Sequence, residues 1–436
     1  QQLVRHFRIG PVVGEGFQST NGILQGCPMS IVLLNVLMNV WAVGLKAEAP
    51  GSDPHVYADD AQSLAAQAAT LQQGIIFTEC FCDVTGAALN TRKTHVWGTS
   101  QRVRRGLAQL KFRDGSHPSI VSSEKCLGAQ LAFNCRSAAH KDVHVRHEKA
   151  DLSCSRIQAV PLGMDARADL VQSVVMPKLL YDTAVAPMSK RKLARWRARI
   201  ARTIWGPSHP ARAVEVLFCL LVKGHACDPV QASVIRIVKC TRRMLSKHPE
   251  VWGMYAENWA SRQHGNKRAT GPSARFHWAL NKLGWHLHED MRTLITREGM
   301  ELDMLSCDEG LMDHTIREDL RSVLWHELSR RRGECFDGVQ HGVDKETTLA
   351  FYKSCRGAEK AHVAHFLANA IDTSERRHKR KLAHHPICFF CNFFLPGPVE
   401  TVTHVLHECT GWDDERTVTC PQSDHVHACA RMCGIA

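Results

Sequence analysis

Two adjacent carboxylates, Asp59 and Asp60, are the residues of this chain whose type and spacing most directly suggest chemistry. They follow a short apolar run that ends in Tyr57, and paired like charges are disfavoured inside a strand. The tip of a tight β-hairpin explains them better, because both carboxylates then stand off the sheet edge and bind divalent cations. Two Mg²⁺ ions held in this way clamp the attacking and leaving oxygens of a phosphoryl transfer. The pair alone also fits a solvated Asp-Asp turn, so its interpretation depends on its neighbours.

A second set of residues has the spacing of a structural metal site. Cys388, Cys391, His404 and Cys409 form the pattern Cys-x2-Cys-x12-His-x4-Cys. Three thiolates and one imidazole complete the tetrahedral shell of Zn²⁺ and leave no open position, which is typical of a structural zinc site. The alternative is a set of unrelated buried cysteines.

Composition indicates a soluble globular protein with two to four domains. The chain has 436 residues, of which 44% are hydrophobic and 22% are charged. Its 18 cysteines would suit a secreted, disulfide-rich protein. However, the chain does not start with a signal peptide, and most cysteines are scattered through helix-like segments, so we expect a reducing, intracellular compartment.

The charge is unevenly distributed along the chain. The net charge is +12, yet residues 1–100 hold 5 Lys+Arg against 7 Asp+Glu. The remainder holds 50 Lys+Arg against 36 Asp+Glu. An acidic catalytic end followed by a basic body suits a polyanionic partner such as nucleic acid, although a generally basic surface would give the same counts.

The elements around the Asp pair are predicted from local patterns. Residues 7–17 read as a strand and turn pair, residues 64–82 as a helix and residues 120–133 as a second hairpin. The uncharged run 17–45 is long enough to span a bilayer. Polar residues such as Gln25 interrupt it, so we expect a buried helix there and no membrane partner.

Residues 138–206 have a helical pattern, and the last helix is strongly basic. Leu193, Trp196, Ile200 and Ile204 form an apolar stripe along residues 190–205. Seven cations and no acid occupy the rest of this helix: Lys190, Arg191, Lys192, Arg195, Arg197, Arg199 and Arg202. Phosphate contacts by such a face release counterions and make binding salt-dependent. We therefore predict nucleic-acid contacts at Arg195, Arg199 and Arg202, against the alternative of a solvated helix face.

Four segments around the Asp pair occur in the order of the palm motifs of reverse transcriptases, and we interpret them as a resemblance to that family. The segments are Gly22-Ile23-Leu24-Gln25-Gly26-Cys27-Pro28-Met29-Ser30, Tyr57-Ala58-Asp59-Asp60, Leu89-Asn90-Thr91-Arg92-Lys93-Thr94 and Leu127-Gly128. The helical block that follows resembles the thumb of LINE-type (non-LTR) retrotransposon reverse transcriptases. The Cys/His pattern resembles the zinc module near the C-terminus of many such elements.

This resemblance implies an α+β chain. It comprises a partial reverse-transcriptase palm with an antiparallel sheet and helices, a helical thumb and connector, and a small zinc-binding module. The expected boundaries are palm 1–135, thumb 136–206, mostly helical connector 207–383, Cys/Cys/His/Cys zinc module 384–418 and tail 419–436.

The resemblance also implies roles for individual residues. Asp59 and Asp60 would bind Mg²⁺, Lys93 would lie near the triphosphate, and Gln25, Gly26 and Tyr57 would contact template–primer and nucleotide. The implied activity is RNA-directed DNA synthesis in the nucleus, with an RNA template, a DNA primer or target and deoxynucleoside triphosphates as partners.

Parts of the family pattern are missing from this sequence. No strand with a third catalytic Asp precedes Asn21, and the fingers are missing too, so we expect the chain alone to be inactive. A noncatalytic nucleic-acid-binding remnant of a retroelement is the main alternative. A group II intron maturase is a third, which the spacing of the zinc ligands disfavours.

Overall fold

The structure is a computed structural model in which residues 4–18, 28–127, 129–133, 141–185, 188–206, 212–263, 271–391 and 397–414 are described. The chain divides into two compact units. The first unit holds residues 1–127 and 131–138, and the second holds residues 128–130 and 139–436. The fold is α+β, with long helices and small, mostly antiparallel sheets, as the sequence predicts.

In its described residues, the first unit is built from short strands and three α-helices. The strands are β1 Val4–Ile9, β2 Val12–Gln18, β3 Ser52–Tyr57, β4 Asp60–Ala65, β5 His95–Val96, β6 Ser119–Ile120, β7 Ser123–Cys126 and β8 Ala129–Ala132, whose first two residues belong to the second unit. The helices are α1 Pro28–Glu48, α2 Ala68–Thr85 and α3 Gln101–Leu107. Strands β1 and β2 pair antiparallel, as do β3 and β4, whereas β5 and β6 pair parallel. The helix predicted from residue 64 begins later, because β4 extends to Ala65 and α2 starts at Ala68.

Helix α1 is far more exposed than its composition predicts. Among the side chains of α1 whose burial the structure describes, only Trp41 and Leu45 are buried, and they pack with Phe77 and Phe81 of α2. Apolar side chains on its other faces are exposed: Ile31, Val32, Leu33, Val36, Val40 and Val43. The prediction of a buried helix is therefore wrong for the described part of the first unit, since α2 and the hairpin β3–β4 are too small to surround it.

Helix α1 also has the composition of a membrane span. Within the described residues, Met29–Glu48 is the one helix long and apolar enough to cross a bilayer. Core helices of soluble proteins pass the same test, so this property does not by itself assign a membrane location.

The second unit is mostly helical. Its helices are α4 Lys141–Ala159, α5 Met164–Leu170, α6 Met176–Leu180, α7 Lys190–Trp205, α8 Val214–Val216, α9 Gly224–Cys227, α10 Pro229–Lys247, α11 Trp252–Gln263, α12 Pro272–Leu283, α13 Glu309–Arg331, α14 Gly333–Phe336, α15 Lys345–Ser354, α16 Gly357–Leu367 and α17 Ser374–Lys379. A three-stranded antiparallel sheet interrupts them, formed by β9 His286–Leu287, β10 Thr293–Ile295 and β11 Glu301–Asp303. This sheet was not predicted, because residues 207–383 were expected to be mostly helical.

Two hydrophobic cores stabilise the second unit, and helix α13 contributes to both. The first core joins α4–α9 to the C-terminal half of α13 and to α14–α16, with Leu328 and Phe336 fully buried. The second core joins α10–α12 and the small sheet to the N-terminal half of α13, with Phe276 and Ile316 fully buried. The boundary predicted at residue 206 therefore falls inside a core that both neighbouring segments share.

A buried ion network crosses the first core. Arg197 Nε lies 3.0 Å from an oxygen of Asp228, and Arg197 Nη1 lies 3.8 Å from an oxygen of Glu215. Glu215 also pairs with Arg331 at 3.0 Å. Burial alone would lower the pKa of Arg197, but the two carboxylates raise it above its ordinary value. Asp228 also accepts a hydrogen bond from the Val230 amide, so it caps helix α10 as well.

Candidate metal centre

The four predicted metal ligands converge in the structure. One ligand atom from each of Cys388, Cys391, His404 and Cys409 lies within 4.8 Å of the other three. The Sγ of Cys409 is 3.6 Å from that of Cys388 and 3.5 Å from that of Cys391. The Sγ of Cys391 is 3.5 Å from Nε2 of His404. A tetrahedral zinc site requires sulfur–sulfur and sulfur–nitrogen separations of roughly 3.5–3.8 Å.

Short backbone elements bring these ligands together. Ile387 and Val399 form an isolated antiparallel bridge, and the Cys388 amide donates to the Pro398 carbonyl at 2.9 Å. A π-helical turn over His404–Glu408 then places His404 opposite the cysteines. The Cys409 amide donates to the His404 carbonyl at 2.7 Å, which closes that turn and positions the fourth ligand.

The cluster is sealed from solvent and electrostatically uneven. All four ligand side chains are buried. A hydrogen bond with the Thr410 hydroxyl lowers the pKa of Cys391 and so favours its thiolate. Burial raises the pKa of Cys409, and its contacts with the other two sulfurs add to this rise. A cation at the centre would favour the thiolate form of both cysteines, because metal ligation deprotonates thiols.

A carboxylate lies on the far side of the imidazole. Nδ1 of His404 is 3.6 Å from Glu408 Oε2, whereas Nε2 faces the sulfurs. A carboxylate beside the non-ligating nitrogen is a common partner of a ligating histidine, and Glu408 lies within ion-pair distance of it. Glu408 and Thr410 were not predicted from the sequence. The four-residue spacing from His404 to Glu408 is the one signal that could have found the carboxylate.

The arrangement can hold a metal ion such as zinc. Three buried sulfurs and one imidazole nitrogen are the donor set that zinc prefers, and four protein ligands leave no position for a substrate. Every cysteine in the described part of the chain is a free thiol, so none of these sulfurs is taken by a disulfide. The expected chemistry of this centre is structural.

The predicted catalytic carboxylates lie at a hairpin turn. Tyr57 and Asp60 are the last paired residues of β3 and β4, so Ala58 and Asp59 form the turn itself, which confirms the predicted hairpin. Both carboxylates are exposed. Ala58 has φ +55°, a left-handed conformation that residues with a Cβ rarely adopt. In the described part of the chain, no third acidic, His or Cys side chain joins the pair within metal-binding reach.

The remaining palm residues are placed only in part. Lys93 ends a short 3₁₀ turn, and its amide donates to the side chain of Asn90 at 3.2 Å. Its side chain is exposed, as is that of Tyr57. No hydrogen bond or ion pair between described residues links Lys93 to the Asp pair. Gln25 and Gly26 lie outside the described residues.

The predicted basic helix is present, and its cations divide into two groups. Helix α7 buries Leu193, Ile200 and Ile204, which confirms the apolar stripe. Arg195 and Arg202 are exposed and seven residues apart, so they share one helix face. Exposed Arg191 lies on the same face, four residues before Arg195.

The second group is Arg197 and Arg199, whose guanidinium groups form ion pairs with carboxylates of the protein itself. Nε of Arg199 donates to Asp151 Oδ1 at 2.6 Å. Nη1 of Arg199 donates to Gln158 Oε1 and Nη2 donates to Ser155 Oγ, both at 2.7 Å. All three partners lie on α4, so this side chain joins two helices. A nucleic-acid role for Arg199 remains a prediction, and these contacts compete with it.

Comparison with known proteins adds no constraint on function. No protein-family model and no curated protein matches this chain.

Proposed function

We propose that this chain is the C-terminal portion of a LINE-type reverse transcriptase, an RNA-directed DNA polymerase of a non-LTR retrotransposon. The observation that carries the proposal is the order of four palm-like segments, with Asp59 and Asp60 at the turn of a hairpin. The Cys₃His cluster supports it, because a zinc module follows the thumb in such elements. The expected partners are an RNA template, a DNA primer or target and deoxynucleoside triphosphates in the nucleus.

The proposed reaction is a phosphoryl transfer. The primer hydroxyl attacks the α-phosphate of the nucleotide, and pyrophosphate leaves. Asp59 and Asp60 would supply carboxylate oxygens to Mg²⁺, and the cation would offset negative charge that develops in the transfer. Lys93 would offer its cation to the triphosphate. The exposed arginines of α7 would hold the template–primer duplex through its phosphates.

This site needs a further carboxylate that the described residues do not bring to the Asp pair. Two carboxylates alone hold two ions weakly, because each Mg²⁺ requires several oxygen ligands in octahedral geometry. We therefore expect residues 1–436 on their own to give no primer extension on an RNA template with Mg²⁺ or Mn²⁺. Robust DNA synthesis by this protein would contradict the requirement for a third carboxylate.

The decisive experiment uses the protein made with any coding sequence that lies in frame ahead of Gln1. It should extend a DNA primer on an RNA template, and Asp59→Asn or Asp60→Asn should abolish extension while template binding persists. Asp53→Asn is the matched control, since this exposed carboxylate lies on the same hairpin and should leave synthesis intact. Synthesis that survives both changes at the turn would refute the assignment of the Asp pair.

A noncatalytic nucleic-acid-binding protein derived from such an element is the second candidate. The exposed arginine face of α7 favours it, because that face needs no complete catalytic site to bind phosphates. This candidate predicts salt-dependent binding of RNA–DNA hybrids without DNA synthesis in any version of the protein. Replacing Arg191 and Arg195 with Gln should weaken that binding, whereas Arg199→Gln should mainly reduce thermal stability.

A further inference from the structure

We call the segment around the Cys/His cluster, residues 386–391 and 397–414, the metal module. Three aromatic side chains lie at its surface. We call Phe389, Phe390 and Trp412 the aromatic face; they are 77%, 47% and 37% exposed. The ring centroids of Phe389 and Phe390 are 5.8 Å apart, and those of Phe390 and Trp412 are 5.0 Å apart, both edge to face. Clustered apolar rings at the surface of a small module indicate a binding surface more often than isolated ones do.

The metal cluster constrains the backbone that carries Phe389 and Phe390. Phe389 and Phe390 lie between the ligands Cys388 and Cys391, so both backbone ends of the pair are anchored. Phe390 also packs closely over Gly411, where an added Cβ would lie only 2.8 Å from the Phe390 Cβ. The backbone of both phenylalanines is thus constrained before any partner arrives, which reduces the entropy lost on binding.

We call residues 376–391, which lead into Phe389 and Phe390, the basic segment; acidic residues of the module lie elsewhere, among them Asp413 and Asp414 directly after Trp412. Residues 376–391 contain five Lys+Arg, three His and no Asp or Glu. Lys379 pairs with Glu375 and Arg380 with Asp372. Arg377 and Lys381 are exposed and have no ion pair with any described residue.

The basic segment is attached to the metal module by hydrogen bonds. The Ser374 amide at the start of α17 donates to Glu400 Oε1 at 2.8 Å. The Glu400 amide in turn donates to the Pro386 carbonyl at 2.8 Å, two residues before Cys388. Unpaired cations and exposed rings are therefore presented by one connected piece of the chain.

We propose that the aromatic face binds single-stranded nucleic acid, with unpaired bases stacked on Phe389 and Trp412 and phosphates bound by Arg377 and Lys381. Every base has a π-face that stacks on aromatic rings, and a duplex hides those faces. A polyanion also complements the acid-free basic segment. The inference rests on the proposed function only for the presence of a nucleic-acid partner, and it requires no polymerase activity.

The test measures binding of the full zinc-loaded chain to fluorescent oligothymidylate and to a DNA duplex of equal length. Phe389→Ala should weaken single-strand binding roughly tenfold, which corresponds to losing one stacked base. Its effect on duplex binding should be small. Phe389→Trp should keep the affinity, and Phe389→Leu should not, because leucine keeps the apolar surface but cannot stack.

Three controls separate stacking from other effects. Phe351→Ala removes a comparably exposed phenylalanine on α15 and should change nothing. Zinc content should stay the same in each Phe389 variant, which excludes loss of the module. Arg377→Gln should lower the slope of affinity against salt, whereas Phe389→Ala should leave that slope unchanged.

The inference is overturned if Phe389→Ala leaves single-strand affinity unchanged, or if Phe389→Leu binds as well as the original chain. Concentration-dependent self-association that Phe389→Ala abolishes would also overturn it, since the aromatic face would then be a contact between copies. Failure of the primer-extension experiment would leave these results intact, so the two proposals are tested separately.

Discussion

Removing the metal should unfold the metal module and leave the rest of the second unit folded. In residues 386–391 and 397–414, Val402 is the one buried hydrophobic residue besides the ligands. Its burial contributes about 2 kcal/mol. A closed zinc site in a small peptide contributes roughly 10–16 kcal/mol. Metal binding therefore dominates the free energy that keeps this segment folded, whereas both large cores consist of other segments.

Cys391→Ser should act like chelation, because a hydroxyl is a poor ligand at a thiolate-rich site. Hydrogen exchange measured by mass spectrometry should show loss of protection at the amides of Cys388 and Cys409, with unchanged protection in α10 and α13. Cys240→Ser is the matched control, since this cysteine is exposed and lies far along the chain from the cluster. Retained protection after the zinc has been shown to be absent would refute the reasoning.

Three further predictions follow from contacts in the second unit. Arg195→Gln should weaken duplex binding, because one phosphate contact is lost, and should lower the slope of log affinity against log salt concentration by about one. Fluorescence titrations at several salt concentrations measure both quantities. Asp228→Ala should destabilise the unit by roughly 3–5 kcal/mol, because Arg197 loses its nearest carboxylate. Adding Arg197→Met should recover part of that loss in chemical denaturation. Burial lowers the pKa of His147 from 6.5 to about 4, so the unfolded chain takes up this proton first as pH falls. Stability should therefore decrease from pH 6.5 towards 4, and His147→Gln should flatten the decrease, as measured by chemical denaturation at each pH.

The features that were predictable from sequence depend on residues close together in the chain. The hairpin at Asp59 follows from turn chemistry between two short strands. Helix α7 follows from an apolar stripe of helical period, and Ser189 caps its start. The metal ligands were predictable because the spacing Cys-x2-Cys-x12-His-x4-Cys is typical of a structural zinc site.

The features that were not predictable depend on distant partners or on weak local signals. Arg199 is part of a basic run in the sequence, but Asp151, 48 residues earlier, binds it. Helix α1 is apolar nearly all round, yet only α2 and β3 pack on it to an appreciable extent in the described part of its unit. Strands β9–β11 have two or three residues each, which is too short for an alternating pattern to be visible.

The first core of the second unit has a consequence for biosynthesis. Its buried residues run from Ala150 to Ala370, so the early helices cannot complete their packing until α16 has left the ribosome. At about 5–20 residues per second, that interval lasts roughly 10–40 s. During this time the apolar stripe of α7 and the run Leu217–Leu221 remain without their final partners. A nascent chain of this kind should depend on holding chaperones, and the dependence should end once α16 is released.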